Sequence, residues 1–179
     1  MMRRREQCVR AARRRDAMTL LELIMAMTLL AGVGTAAALL LRTGHVAWSA
    51  HEEDAARLEA AHATARHIAR QFRQAVQVSA ITLPGNDSGS LSLLMASGQT
   101  IVWTHDAATS EVRFGAGNAT NLLATGITGL NFAGYGVDPT TVPISVADIQ
   151  SVVIRVNVSL PRDKAGTRTV TQWAWMRTW

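Results

Sequence analysis

The sequence predicts an α+β protein: one long N-terminal helix, transmembrane at first and amphipathic further on, packed on a C-terminal antiparallel β-sheet. Three observations predict it. Met18 to Leu41 form an unbroken apolar run with a single ionisable side chain, Glu22. The residues after this run keep an apolar stripe at helical spacing, with no proline before Ile81. Beyond Pro84, short segments rich in β-branched and aromatic residues alternate with turn residues.

The first element of the chain is a basic leader. Residues 1–17 hold seven arginines against Glu6 and Asp16, which accounts for the whole formal charge of +5. Taking these from the totals of 18 basic and 13 acidic residues leaves eleven of each, so the rest of the chain is balanced. A nucleic-acid-binding face needs its cations on the folded domain, so the charge distribution argues against a nucleic-acid partner. The single cysteine, Cys8, lies in this leader and cannot form an intramolecular disulfide.

The second element, residues 18–41, would be about 36 Å long as a helix, at roughly 1.5 Å per residue. A bilayer's hydrocarbon core is about 30 Å thick, so the run can span it and make membrane lipid a partner. Arginines on its N-terminal side predict that this end stays in the cytoplasm while the C-terminal part is exported. A cleaved signal peptide has a shorter apolar region, although Gly32-Val33-Gly34-Thr35-Ala36-Ala37-Ala38 offers small residues for such a cut. An uncleaved signal anchor fits length and charge equally well. Small residues at Ala26, Ala31, Gly32, Gly34 and Ala36 to Ala38 suit either close helix packing or ordinary membrane-helix composition.

Glu22 separates these alternatives. A carboxylate in an apolar span is costly and by default has a partner, unless it reaches the headgroups from the span's end. The stretch Asp16-Ala17-Met18-Thr19-Leu20-Leu21-Glu22-Leu23 resembles the processing motif of type IV pilins and type II secretion pseudopilins. In that family a basic leader ends in a small residue, usually glycine, and the mature chain typically begins Phe-Thr-Leu-Leu-Glu. Here Ala17 stands in the glycine's place and Met18 in the phenylalanine's. The resemblance implies that prepilin peptidase cuts between Ala17 and Met18 and methylates the new amine of Met18. Glu22 would then be fifth and would pair with the terminal amine of a neighbouring subunit, which sets the axial stagger between helices. It also implies as partners other pilin or pseudopilin subunits and an inner-membrane assembly platform. The protein would be a single-pass protein of the inner membrane. The family's function is mechanical, in secretion, motility or DNA uptake; the competing class is a membrane-anchored binding module that never polymerises.

The third element, residues 42–80, is expected to continue the helix as its amphipathic half. Leu58, Ala61, Ala65, Ile68, Phe72, Ala75 and Val76 form one stripe, and charged residues such as Glu52, Arg57 and Arg70 fill the other faces. Residues 81–179 are expected to form the exported sheet. Pro84 to Gly89 has strong turn chemistry, and strands are expected at Leu91–Ala96, Thr100–Thr104, Glu111–Phe114 and Ile127–Phe132. The clearest strand is Val152 to Leu160, where Val152, Ile154, Val156 and Val158 alternate with Val153, Arg155, Asn157 and Ser159. A hairpin loop over Pro161–Gly166 leads to a last strand at Thr167–Met176, with Trp173 and Trp175 on one face. These tryptophans, with Trp179, suit packing or a partner-binding patch. The succession of a Leu-x-Phe-x-x-Tyr strand, a loop from Gly134 to Pro143 and a long Val/Ile strand resembles minor pseudopilins of the J type.

No catalytic or cofactor-binding constellation is present in the sequence, so no enzyme activity and no cofactor are expected. His62 and His67 are five apart on a helix, and His45, His51 and His105 lack ligand spacing, so solvated histidines are expected in place of a metal site. Asp138 is isolated in its loop, whereas calcium takes several clustered oxygens.

Overall fold

A computed structural model of the 179-residue chain describes residues 19–137, 145–160 and 166–177. Among the described residues one long helix, α1 (Leu20–Phe72), precedes eight strands. The chain divides into two compact units, residues 1–47 and 48–179. The basic leader, Asp138, the 161–165 part of the hairpin loop and Trp179 lie outside the described residues.

In the first unit every described residue is exposed, including Leu20, Ile24, Leu30, Val33 and Leu41. The segment is long and apolar enough to cross a membrane. Its polar hydroxyls are turned back onto the helix: Thr28 Oγ1 donates to the Met25 carbonyl at 2.9 Å, and Thr35 Oγ1 to that of Ala31 at 2.8 Å. Thr43 Oγ1 reaches the carbonyls of Leu39 and Leu40, both at 3.0 Å.

The second unit is built on the last turns of α1. Ala61, Ala65, Ile68 and Phe72 are buried on one face, as the stripe predicted, and Ala69, which the stripe left out, is buried with them. The four-residue spacing of Ala61, Ala65 and Ala69 keeps that face slim, so the sheets can lie close to the helix axis. Arg57 Nη1 adds a bond to the Ser159 carbonyl at 3.0 Å.

The helix ends at Phe72, earlier than the stripe suggests. Ala75–Ile81 forms strand β1, not the last helical turns, and Val76 is exposed. β1 pairs with β2 (Ser90–Met95) through two register shifts, between Ala75 and Gln77 and between Val78 and Ala80. Each bulge inserts one residue, so the inward positions Ala75, Val78 and Ile81 recur every three residues and imitate a helical period.

The strands form two antiparallel sheets where one was expected. The first is a meander of β1, β2, β3 (Thr100–Asp106), β4 (Glu111–Ala116) and β5 (Asn121–Thr125). The second contains β6 (Ile127–Tyr135), β7 (Ser151–Ser159) and β8 (Thr167–Trp175). Gly126, at φ 75°, turns the chain from one sheet to the other, a conformation open to glycine at little cost. The segment Asp87–Gly89 closes the seam between the sheets. Leu130 N donates to the Asp87 carbonyl at 2.7 Å, Gly89 N to that of Leu130 at 2.8 Å, and His105 N to that of Gly89 at 3.1 Å.

Trp103, Phe72, Phe132, Ile68, Leu91 and Leu93 are the bulkiest fully buried side chains. β7 contributes Val152, Ile154, Val156 and Val158 from its inward face, as its alternation predicted.

Candidate functional site

The candidate processing and assembly site lies at the start of α1. Ala17 and Met18 are outside the described residues; Thr19 and Glu22 are within them. Thr19 is the N-cap: its carbonyl accepts the first helical bond from Leu23 N at 3.1 Å, and its Oγ1 accepts from Glu22 N at 3.3 Å. Thr19-Leu20-Leu21-Glu22 thus has the spacing of a capping box, with glutamate at the third helical position. A carboxylate there also faces the positive end of the helix dipole, worth about 0.3–1 kcal/mol at an exposed site. The carboxylate is exposed and has no partner among the described residues. Position alone thus lets the Glu22 carboxylate favour the helix start through the dipole, and its charge makes no bond to the described residues.

A second feature is the outward face of the β6–β8 sheet. Tyr135 stacks on Trp173 with ring centroids 5.8 Å apart, and Trp173 on Trp175 at 5.9 Å, each pair at 21°. Trp173 is 37 % and Trp175 56 % exposed. These tryptophans form a surface ledge above Val153, which they help to bury.

Two histidines expected in solvent are instead packed. His105 is only 6 % exposed, and its Nε2 donates to the Ile127 carbonyl at 2.9 Å, holding the start of β6 against β3. His67 is half-buried; its ring lies edge-on to Phe114 at 5.0 Å and to Trp103 at 6.1 Å. Its Nδ1 accepts from Trp103 Nε1 at 3.4 Å, which requires the neutral ring. Spacing along the helix could not show this, because the partners come from β3 and β4. Among the described residues no group of three or more histidine, cysteine or acidic side chains is placed to hold a metal ion. A depression of about 400 Å³ near the end of α1 is lined by Arg73, Gln74, Val76, Ala96, Met176 and Arg177. Its side chains offer two guanidinium groups and no nucleophile or carboxylate.

Burial first, and the Arg70 guanidinium second, hold the His67 pKa below the ordinary histidine value. The unfolded chain then binds a proton at pH values where the folded protein does not. Stability is full above the unfolded value of about 6.5 and is lost as pH falls through the folded value. Asp106 acts in the same direction at lower pH, its carboxyl pKa lowered by bonds from the Ala108 amide and the Thr109 hydroxyl. The urea midpoint should therefore drop between about pH 7.5 and 5, and drop less in His67→Phe. An identical pH dependence in that variant would show that His67 is not the group responsible.

No family model, curated protein or solved structure matches this chain.

Proposed function

We propose that the chain is a minor pilin or pseudopilin, a membrane-anchored filament subunit cut between Ala17 and Met18 and assembled through its N-terminal helix. One observation carries the reading. The apolar first part of α1, exposed at every described residue from 19 to 41, begins Thr19-Leu20-Leu21-Glu22 directly after a leader holding all the excess positive charge, and the one carboxylate of that part has no partner among the described residues. In this reading prepilin peptidase creates a positive amine at Met18 one helical turn from Glu22. The carboxylate pairs with the amine of the next subunit, an attraction that strengthens as the dielectric constant falls. The arginines hold the N-terminus in the cytoplasm, and the two-sheet unit is exported.

The capping geometry favours a second reading, in which Glu22 only starts the helix of an unprocessed signal anchor that carries a binding module. Two experiments separate them. Intact mass of the membrane form should give a chain starting at Met18 with a methylated amine. A start at Met1 would support the anchor, and one beyond Ala36 ordinary signal cleavage. Glu22→Gln retains a capping-box residue and removes the charge. It should insert into the membrane normally and reduce incorporation into filaments by at least tenfold. Wild-type incorporation would exclude the pairing.

A further inference from the structure

The four sheet edges of the second unit are unlike one another. β1 carries two register shifts, β5 is five residues long and pairs with β4 through another, and β6 is bonded at Leu130 by Asp87 and Gly89. Bulges, shortness and cover are the devices that stop edge-to-edge association. Among the described residues β8 has none of them. Its nine residues pair with β7 without a shift, and it contains neither proline nor lysine.

The direction of its free backbone groups follows from the ladder. Met176 N donates to the Gln150 carbonyl at 2.9 Å, so 176 and 150 are a bonded pair, and bonded pairs alternate along antiparallel strands. The even-numbered residues of β8 therefore bond to β7, and Thr167, Thr169, Thr171, Trp173 and Trp175 turn their backbone groups outward. Gln172 Nε2 reaches the Trp173 carbonyl at 3.2 Å, as an outward carbonyl allows. All five are exposed, and their side chains share the face of the aromatic ledge.

We infer that β8 is the docking strand for a second copy of this chain, added antiparallel with its two-fold axis at Thr171. The sequence Thr167 to Trp175 is complementary to itself in this register. Thr169 meets the other copy's Trp173, and Thr167 its Trp175, which makes aromatic–β-branched pairs from rings otherwise open to water. Arg168, the strand's one charged residue, lies opposite Ala174 and not opposite itself. The bonded pairs of the new ladder are the odd-numbered residues whose groups point outward. No other edge of the unit is regular enough to receive β8, so a copy of β8 is the matching partner the chain itself supplies. The contact uses no residue before Trp48 and goes beyond the proposed filament role.

The axis provides the test. In the full chain held in detergent, Thr171→Lys places like charges face to face, and so does Thr171→Glu. Sedimentation should show wild type as a dimer at about 50 μM, each variant alone shifted at least tenfold toward monomer, and an equimolar mixture of the two dimeric again. With Cys8→Ser as background, Thr171→Cys should form a disulfide between copies under mild oxidation. The Cα separation of about 5.5 Å expected in a bonded pair lies inside the disulfide window. A monomeric wild type, a dimer indifferent to both charges, or a mixture that stays monomeric would overturn the assignment. Pairing of β8 with an added foreign strand only would do the same.

Discussion

Trp103→Ala should lower the unfolding free energy of the second unit by about 3–5 kcal/mol, the usual range for removing a buried large aromatic side chain. Trp103 is fully buried on β3, in the cluster that also holds Phe72, Ile68 and Leu91. Its indole N–H is bonded to His67, so alanine would open a cavity and also remove that ring's partner across the helix–sheet contact. Domains of this size are stable by about 5–15 kcal/mol, so the loss would be a large fraction of the total. Urea denaturation followed by circular dichroism measures the loss. Trp103→Phe, which keeps most of the volume, should cost less than half as much. A loss below about 1 kcal/mol for alanine would mean that this site collapses without a cavity, contrary to the packing described.

Gly89→Ala should be of comparable size although it adds only one methyl group. A Cβ built at Gly89 would lie 2.3 Å from the Leu130 carbonyl oxygen and 3.1 Å from the Phe132 ring. The first neighbour is backbone in β6, already bonded to Gly89 N at 2.8 Å, so the segment cannot retreat without breaking the seam. Overpacking of this kind costs about 1–3 kcal/mol, and lost seam bonds add to it. Amide exchange should show protection lost first at Leu130 and His105, whose N–H groups bond to Asp87 and Gly89. Gly98→Ala is the comparison for a positive-φ glycine with open space around it: φ is 80° and nothing lies within 4 Å. It should cost about 1 kcal/mol through backbone strain alone. Equal protection in Gly89→Ala and wild type would rule out the seam as a structural joint.

What was legible in the sequence depended on how regularly each element repeats. The apolar run and the β7 alternation are long and uninterrupted, and both stand where they were read. β1 failed because its bulges convert a period of two into a spacing of three, and only the pairing with β2 reveals them. β5 was overlooked because its residues are exposed or half-buried in no simple alternation. The division into two sheets rests on bonds between Asp87–Gly89 and β6, some forty residues apart, which no local pattern encodes. At the candidate site, Thr19 and Glu22 were legible as residue types at a fixed spacing. The capping geometry became visible only with the helix start, and the packed positions of His67 and His105 only with their strand neighbours.

The three inward-turned threonines of the first unit have a mechanical consequence. Their hydroxyls are spent on carbonyls of their own turn, so a neighbouring helix in lipid would meet methyl and methylene groups there and no directional donors. Contact between such surfaces would rest on van der Waals packing alone at these positions, with no hydrogen bond to fix its height along the axis. Among the described residues of the apolar run, 19–41, the Glu22 carboxylate is the one ionic group, so a charge pairing that fixed such rods at one height within that run would have to use it.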